Sequence, residues 1–294
     1  MHVHLVDATF ELFRAFYSPG RSLAFAPDGR PVNAVRGLID SMLSLLREPD
    51  VTHVAAATDY VIESWRNDVF PGYKSSLGMD PLLLAQFRDA ERALRALGIT
   101  TWPMVEDEAD DGIAAAVARY RDDPRVERIV ICSVDKDLAQ CVEGERIVLR
   151  DRMRRITYDG AGVLAKFGVQ PESIPDYLAL VGDSSDGYPG LAGWGSKSAA
   201  AVLRRWLHLD AIPDSAAEWD ITVRGAATLA ATLREGRAEA LLYRRLATLN
   251  RDAAVDGELD DVEWRGVPRA EFEALCAELG FDGVTGRVHR WAEA

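Results

Sequence analysis

Asp183 and Asp186 stand three residues apart in LALVGDSSDGYPGLAGWGSKSA (178–199), and Gly190, Gly193, Gly195 and Lys197 follow them. The same spacing recurs in EDEADD (106–111), where Glu108 and Asp111 enclose Asp110, and VDKD (134–137) sets Asp135 and Asp137 around a lysine. Like charges at helical spacing repel by about 0.2–0.5 kcal/mol per pair. Crowded carboxylates also hold their protons to higher pH unless cations compensate. Oxygen-only donors suit Mg²⁺ or Mn²⁺, and the absence of a usable Cys/His set argues against zinc. Two such ions about 3.5–4 Å apart form the clamp used in phosphodiester hydrolysis. Taken singly, EDEADD also reads as acids favoured at a helix N-terminus, and VDKD as an exposed turn. Their recurrence at strand ends and helix starts favours the metal reading.

The glycine loop invites comparison with a phosphate-binding P-loop, but Ser196 stands where that motif needs lysine. It fits a helix-hairpin-helix better: Leu191-x-Gly193-Trp194-Gly195-x-x-x-Ala199-x-x-Val202. Glycines there let backbone N–H groups point outward at a helix start, where the dipole also favours an anion. Such a hairpin grips a nucleic-acid phosphate without reading sequence, with Ser196, Lys197 and Ser198 adding contacts. Metal chemistry at one phosphodiester and a grip some nucleotides away make one ligand of both halves of the stretch.

The elements that must position these groups are legible as periodicity. HVHLV (2–6) runs into Asp7, HVAAAT (53–58) into Asp59 and RIVICSV (128–134) into Asp135. Helical stretches lie at 34–46, 84–98 and 110–120. Strands alternating with helices predict an α/β fold, a mostly parallel sheet with helices on both faces. Ligands then bind at the carboxyl ends of the strands, where the aspartates fall. From about residue 170 the pattern turns mostly helical, with 231–249 as its longest expected helix.

With 294 residues and 48% apolar content, a large core is expected. No apolar run approaches a membrane span, and MHVHLVDATF has no secretory pattern. Cys132, Cys141 and Cys276 match no redox or metal spacing, so a reduced, cytoplasmic protein is expected. The net charge of −13 speaks against a nucleic-acid partner. The charge is uneven, however: residues 252–294 carry eleven acids against four arginines, and many other acids belong to the motifs.

These residues together resemble the 5′-nuclease domain of bacterial DNA polymerase I and the wider 5′-3′ exonuclease and flap endonuclease family. The pieces are LVDATFELFRAF (5–16), TDYVIESWRNDVFPGYK (58–74), VEDEADDGIA (105–114), SVDKDLAQCV (133–142), DYLALVGDSSDGYPGLAGWGSKSAA (176–200) and REGRAEALLYRRLATLNRD (234–252). The resemblance implies a PIN-like nuclease core over 1–175, with an arch at about 65–95. A helix-hairpin-helix (H3TH-type) DNA-binding subdomain follows over 176–294, and the whole is expected to be a stand-alone form of the domain. It implies that Asp7, Asp59, Glu108, Asp110 and Asp111 serve a first Mg²⁺ or Mn²⁺, and Asp135, Asp137, Asp183 and Asp186 a second. Lys74 and Arg66 take catalytic places beside the scissile phosphate. Arg14 and Tyr73 join Gly193, Gly195, Ser196, Lys197 and Ser198 in DNA contact, and K⁺ sits at the hairpin loop.

The activity implied is hydrolysis of DNA at 5′ ends, flaps, nicks or gaps, chosen by structure and not sequence, leaving 5′-phosphate and 3′-hydroxyl. It would come from a monomer acting at the nucleoid, linked to polymerase and ligase. Rival readings are a PIN-like ribonuclease, or a structure-specific DNA-binding protein with little turnover. The chain departs from the polymerase-type pattern at Leu77 and Leu84, where arginines are usual. Ser75 to Phe87 holds no basic residue, which weakens the electropositive guidance of a 5′ strand through the arch. Val134 replaces a glycine, Gly187-Tyr188 replaces Asn-Ile, and Asp28 stands where lysine is common.

Overall fold

The structure is a computed structural model, and it describes residues 1–20 and 22–293. In chain order the first elements are β1 (His2–Asp7), α1 (Ala8–Phe16), α2 (Asn33–Leu45), β2 (His53–Asp59), α3 (Trp65–Val69), α4 (Pro81–Leu84), α5 (Phe87–Ala96), β3 (Thr100–Met104), α6 (Ala109–Tyr120) and β4 (Arg128–Cys132). Then come β5 (Ile147–Asp151), β6 (Ile156–Tyr158), α7 (Gly160–Phe167), α8 (Ile174–Val181), α9 (Ser196–Trp206), α10 (Ala226–Glu235), α11 (Arg237–Ala247) and α12 (Arg269–Leu279). No helix among the described residues is long and apolar enough to cross a membrane.

The chain forms two compact units. One comprises residues 1–64, 76–133 and 251–294; the other comprises 65–75 and 134–250. In the first unit the strands run parallel in the order β3-β2-β1-β4. Val3, Leu5, Val6, Ala55, Ala56, Ala57, Ile129 and Ile131 are buried in them, the near-continuous apolar pattern of strands covered on both faces. Parallel neighbours need crossovers, supplied here by helices such as α2, α5 and α6. The register sets Asp7 opposite Ala57 and Asp59 opposite Met104, so both acids sit at carboxyl ends of adjacent strands.

β3 was not legible as a strand, because TTWPM is short and Pro103 interrupts it. The proline is tolerated because β3 is the outermost of these four strands, where a missing N–H costs no ladder bond. Residues 251–294, expected to extend the C-terminal subdomain, belong instead to the first unit. Trp264 donates its indole N–H to Leu97 O (3.0 Å) and its backbone N–H to Thr52 O (3.0 Å), and α12 packs on α5. Phe272 and Leu279 are buried without residue, each stabilising by roughly 1.5–3 kcal/mol.

The second unit holds the antiparallel pair β5–β6 and a helical assembly in which α8 packs against α9 and α11. The single helix expected over 231–249 is two. Gly236 has φ −97 and ψ 18 and separates α10 from α11, and a Cβ there would meet Leu191 Cδ2 at 2.9 Å. The expected hairpin is present: α8 ends at Gly182, and α9 starts at Ser196 with Gly195 as its cap.

Candidate metal centre

In the first unit each motif acid is set by backbone geometry. Asp7 ends β1 and caps α1: its Oδ1 accepts from Phe10 N (2.8 Å) and its Oδ2 from the Ser133 hydroxyl (2.8 Å). Asp59 ends β2, and its Oδ1 accepts from Ala109 N (2.7 Å), which ties that strand end to the start of α6. Glu108 and Asp111 form a capping box there, with Glu108 N donating to Asp111 Oδ2 (3.0 Å). Ser64 Oγ donates to Glu108 Oε1 (2.7 Å). Asp7, Glu108 and Asp111 are buried and Asp110 half-buried. The helix start therefore stabilises these acids as well as bringing them to the carboxyl edge of the sheet.

The second unit gathers its acids more tightly. Asp137, Asp183 and Asp186 each offer a carboxylate oxygen within 4.8 Å of the others, the one such group of three among the described residues. All three are buried, at 5, 3 and 7% exposure. Asp135 adjoins them, its Oδ1 accepting from Asp137 N (2.8 Å). Asp183 is fixed by its own loop: Oδ1 accepts from Ser185 N (2.9 Å), its N–H donates to Tyr188 O (2.8 Å), and its carbonyl accepts from Gly187 and Tyr188. Burial pushes the Asp137 carboxyl well above the usual range, and the charges of Asp135, Asp186 and Asp183 add to that, against Lys136.

Two lysines face these acids. Lys74 Nζ lies 3.3 Å from Asp186, and Lys74 N donates to Asp186 O (2.9 Å). Lys136 Nζ lies 2.6 Å from Asp183 Oδ2. Burial pulls the Lys136 ammonium down, but the Asp183 hydrogen bond and the charges of Asp183, Asp137 and Asp135 outweigh it, and its pKa is raised. Sequence reasoning passed over Lys136, although its place between two motif acids was the signal. It also missed Gln140, one helical turn past Asp137. Gln140 Nε2 donates to Asp137 O (2.8 Å) and Ala247 O (2.9 Å), and its Oε1 accepts from Leu249 N (3.1 Å).

The remaining expected residues have distinct surroundings. Arg66 is fully buried, donates to Leu246 O (2.7 Å) and Thr248 O (3.3 Å), and stacks over Trp65 at 4.6 Å. Tyr73 is buried beside Arg66 and Lys74. Arg14 pairs with Glu11 and donates to Ser41 (3.0 Å). At the hairpin, Gly193, Gly195, Ser196 and Lys197 are exposed, while Trp194 is a core residue. Ser198 closes the helix start, accepting from Gly195 N (3.1 Å).

Buried oxygen donors without nitrogen or sulfur are what a hard divalent cation takes. Asp137 Oδ1 is buried with no hydrogen-bond partner among the described residues, so the donor set fits such an ion.

Residues 2–168 match the family model described as 5′-3′ exonuclease, N-terminal resolvase-like domain, and 169–270 match that for its C-terminal SAM fold. The chain belongs to the 5′-3′ exonuclease family. It is 35% identical over 290 residues to DNA polymerase I of Pseudomonas aeruginosa, covering 94% of this chain and 30% of that protein. For Bacillus caldotenax DNA polymerase I the identity is 33%, covering 97% and 32%. The chain thus spans about a third of the length of these relatives. Among solved structures it resembles T5 5′-exonuclease bound to zinc (TM-score 0.70, 14% identity, 96% of this chain and 99% of that one). It also resembles the catalytic core of Rad2 in complex with DNA (TM-score 0.64, 16% identity, 98% and 92%). The fold class of this 5′-3′ exonuclease family member is as expected, a mostly parallel sheet with helices joined to a SAM-fold helical part.

Proposed function

We propose that the protein is a structure-specific 5′ nuclease hydrolysing DNA phosphodiesters with two divalent cations, Mg²⁺ or Mn²⁺. The observation that carries this reading is the buried trio Asp137, Asp183 and Asp186, with its unpartnered Asp137 oxygen, in a 5′-3′ exonuclease fold. Asp7, Asp59, Glu108, Asp110 and Asp111 hold one ion directly or through water, and Asp135, Asp137, Asp183 and Asp186 hold the other. Bound cations supply Lewis-acid polarisation of phosphoryl oxygen and a lowered pKa for water.

Lys74, anchored at Asp186, offers its ammonium to the scissile phosphate. Arg66 clasps the end of α11 from within the 65–75 segment and keeps Tyr73 and Lys74 in place. Arg14, paired with Glu11 in the last turn of α1, adds a DNA contact. The Gly193–Ser198 turn, with its outward N–H groups and Lys197, holds duplex phosphate and takes K⁺ at its loop. DNA with 5′ ends, flaps, nicks or gaps is the substrate, met in the cytoplasm by a monomer that works beside polymerase and ligase.

A 5′-labelled flap duplex and a nicked duplex, incubated with Mg²⁺, Mn²⁺ or EDTA beside Asp137→Asn, test this reading. Cleavage that requires metal and falls at least 100-fold in the variant is the expected result. Binding without cleavage in every metal would overturn it, and faster cleavage of matched RNA would overturn the DNA assignment.

A further inference from the structure

Tyr188 stands two residues after Asp186 and carries a hydroxyl into the interior of the second unit. The ring cannot swing away. It is 1% exposed and stacks on Tyr243 with centroids 5.5 Å apart, and Tyr243 is in turn met edge-on by Phe70 at 6.0 Å. Its backbone is locked to Asp183 in both directions, Asp183 N to Tyr188 O at 2.8 Å and Tyr188 N to Asp183 O at 3.1 Å.

The hydroxyl is buried and has no hydrogen-bond partner among the described residues. The anionic groups acting on it are Asp137, Asp186 and Asp183. A buried unpaired hydroxyl is unfavourable relative to the same ring without it, so packing alone favours phenylalanine or isoleucine here. Asp137 Oδ1 is likewise buried without a hydrogen-bond partner among the described residues, and the two atoms do not hydrogen-bond to each other. Polar atoms separated by more than a hydrogen bond are commonly joined by water, which needs two to four polar partners.

We propose that Tyr188 is a positioning residue for the Asp137–Asp183–Asp186 site: its hydroxyl and Asp137 Oδ1 each accept a hydrogen bond from a water that the bound cation coordinates. The inference rests on the divalent-cation reading above. Groups that orient metal ligands in this way typically change metal affinity 10- to 100-fold when removed, and Tyr188→Phe removes the hydroxyl while keeping the stacked ring.

The test is calorimetric titration of Mn²⁺ into the full chain without DNA, following the binding that Asp137→Asn abolishes, together with melting in EDTA. Tyr188→Phe is expected to weaken that binding at least tenfold while melting in EDTA at or above the native temperature. Tyr188→Ile should match it in Mn²⁺ affinity but melt lower, having lost the contact with Tyr243. Native Mn²⁺ affinity in Tyr188→Phe overturns the inference and leaves the cation site standing. A clear drop in its melting temperature in EDTA also overturns it, by revealing a structural partner for the hydroxyl. Absence of Asp137-dependent Mn²⁺ binding in the native chain overturns the cation reading and this inference together.

Discussion

Lys136 Nζ sits 2.6 Å from Asp183 Oδ2, so the acid trio carries a built-in cation of its own. The ammonium is about one-third exposed and Asp183 is almost fully buried, a pair intermediate between surface and interior cases. Lys136→Met should cost about 1–2 kcal/mol in EDTA by leaving the carboxylates to repel one another. Saturating Mg²⁺ should recover most of that loss. Melting curves with and without Mg²⁺ check this: the metal-induced upward shift should be larger in the variant than in the native chain.

Gly187 has φ +89, and a Cβ there would stand 2.3 Å from Gly72 O, the carbonyl two residues before Lys74. Gly187→Ala should therefore push on the Lys74 segment, costing about 2 kcal/mol or more and slowing cleavage. Gly193 has φ +81, but nothing lies within 4 Å of its Cβ position, so Gly193→Ala should cost only about 1 kcal/mol. Its effect should fall on DNA affinity, with the rate at saturation nearly kept. Comparing Kd and single-turnover rate for the two variants decides whether the two glycines divide in this way.

Leu77 is 91% exposed in a stretch without basic residues. Flaps with long 5′ strands should be cut more slowly than nicked duplexes. Leu77→Arg should raise the flap rate about two- to tenfold and steepen the salt dependence of flap binding by about one added phosphate contact. A native flap rate equal to the nick rate would remove the premise.

Glu278 accepts from Arg92 (2.5 Å) and pairs with Arg30, and these hydrogen bonds hold its pKa down at about 2. A depressed folded-state pKa contributes stability that is complete above the ordinary glutamate value and is lost as pH falls toward about 2. The side chain is 42% exposed, so the contribution is discounted to roughly 0.5–1 kcal/mol. Denaturation midpoints at about pH 5 and pH 3 should differ less in Glu278→Gln than in the native chain.

Three strands and the acids at their ends were legible because strands buried on both faces are written as unbroken apolar runs, and a polar residue at the end then stands out. β3 was hidden by Pro103, which only an outermost strand admits. The helix break at Gly236 was hidden by good helix formers on either side, since what limits that glycine is Leu191, a contact no local pattern contains. At the metal centre the acids announced themselves by spacing. Lys136, Gln140 and Tyr188 did not, because their importance lies in what they touch: Asp183, the end of α11, and the interior beside the acids. The place of 251–294 was likewise unreadable, being set by Trp264 reaching Leu97 across 167 residues of chain.

Gln140 joins Asp137 to Ala247 and Leu249, partners 107 and 109 residues further along the chain than itself. On a ribosome that clasp cannot close until Leu249 has left the exit tunnel, long after every motif acid has emerged. A growing polypeptide therefore displays all nine carboxylates before it can fix Asp137 among them.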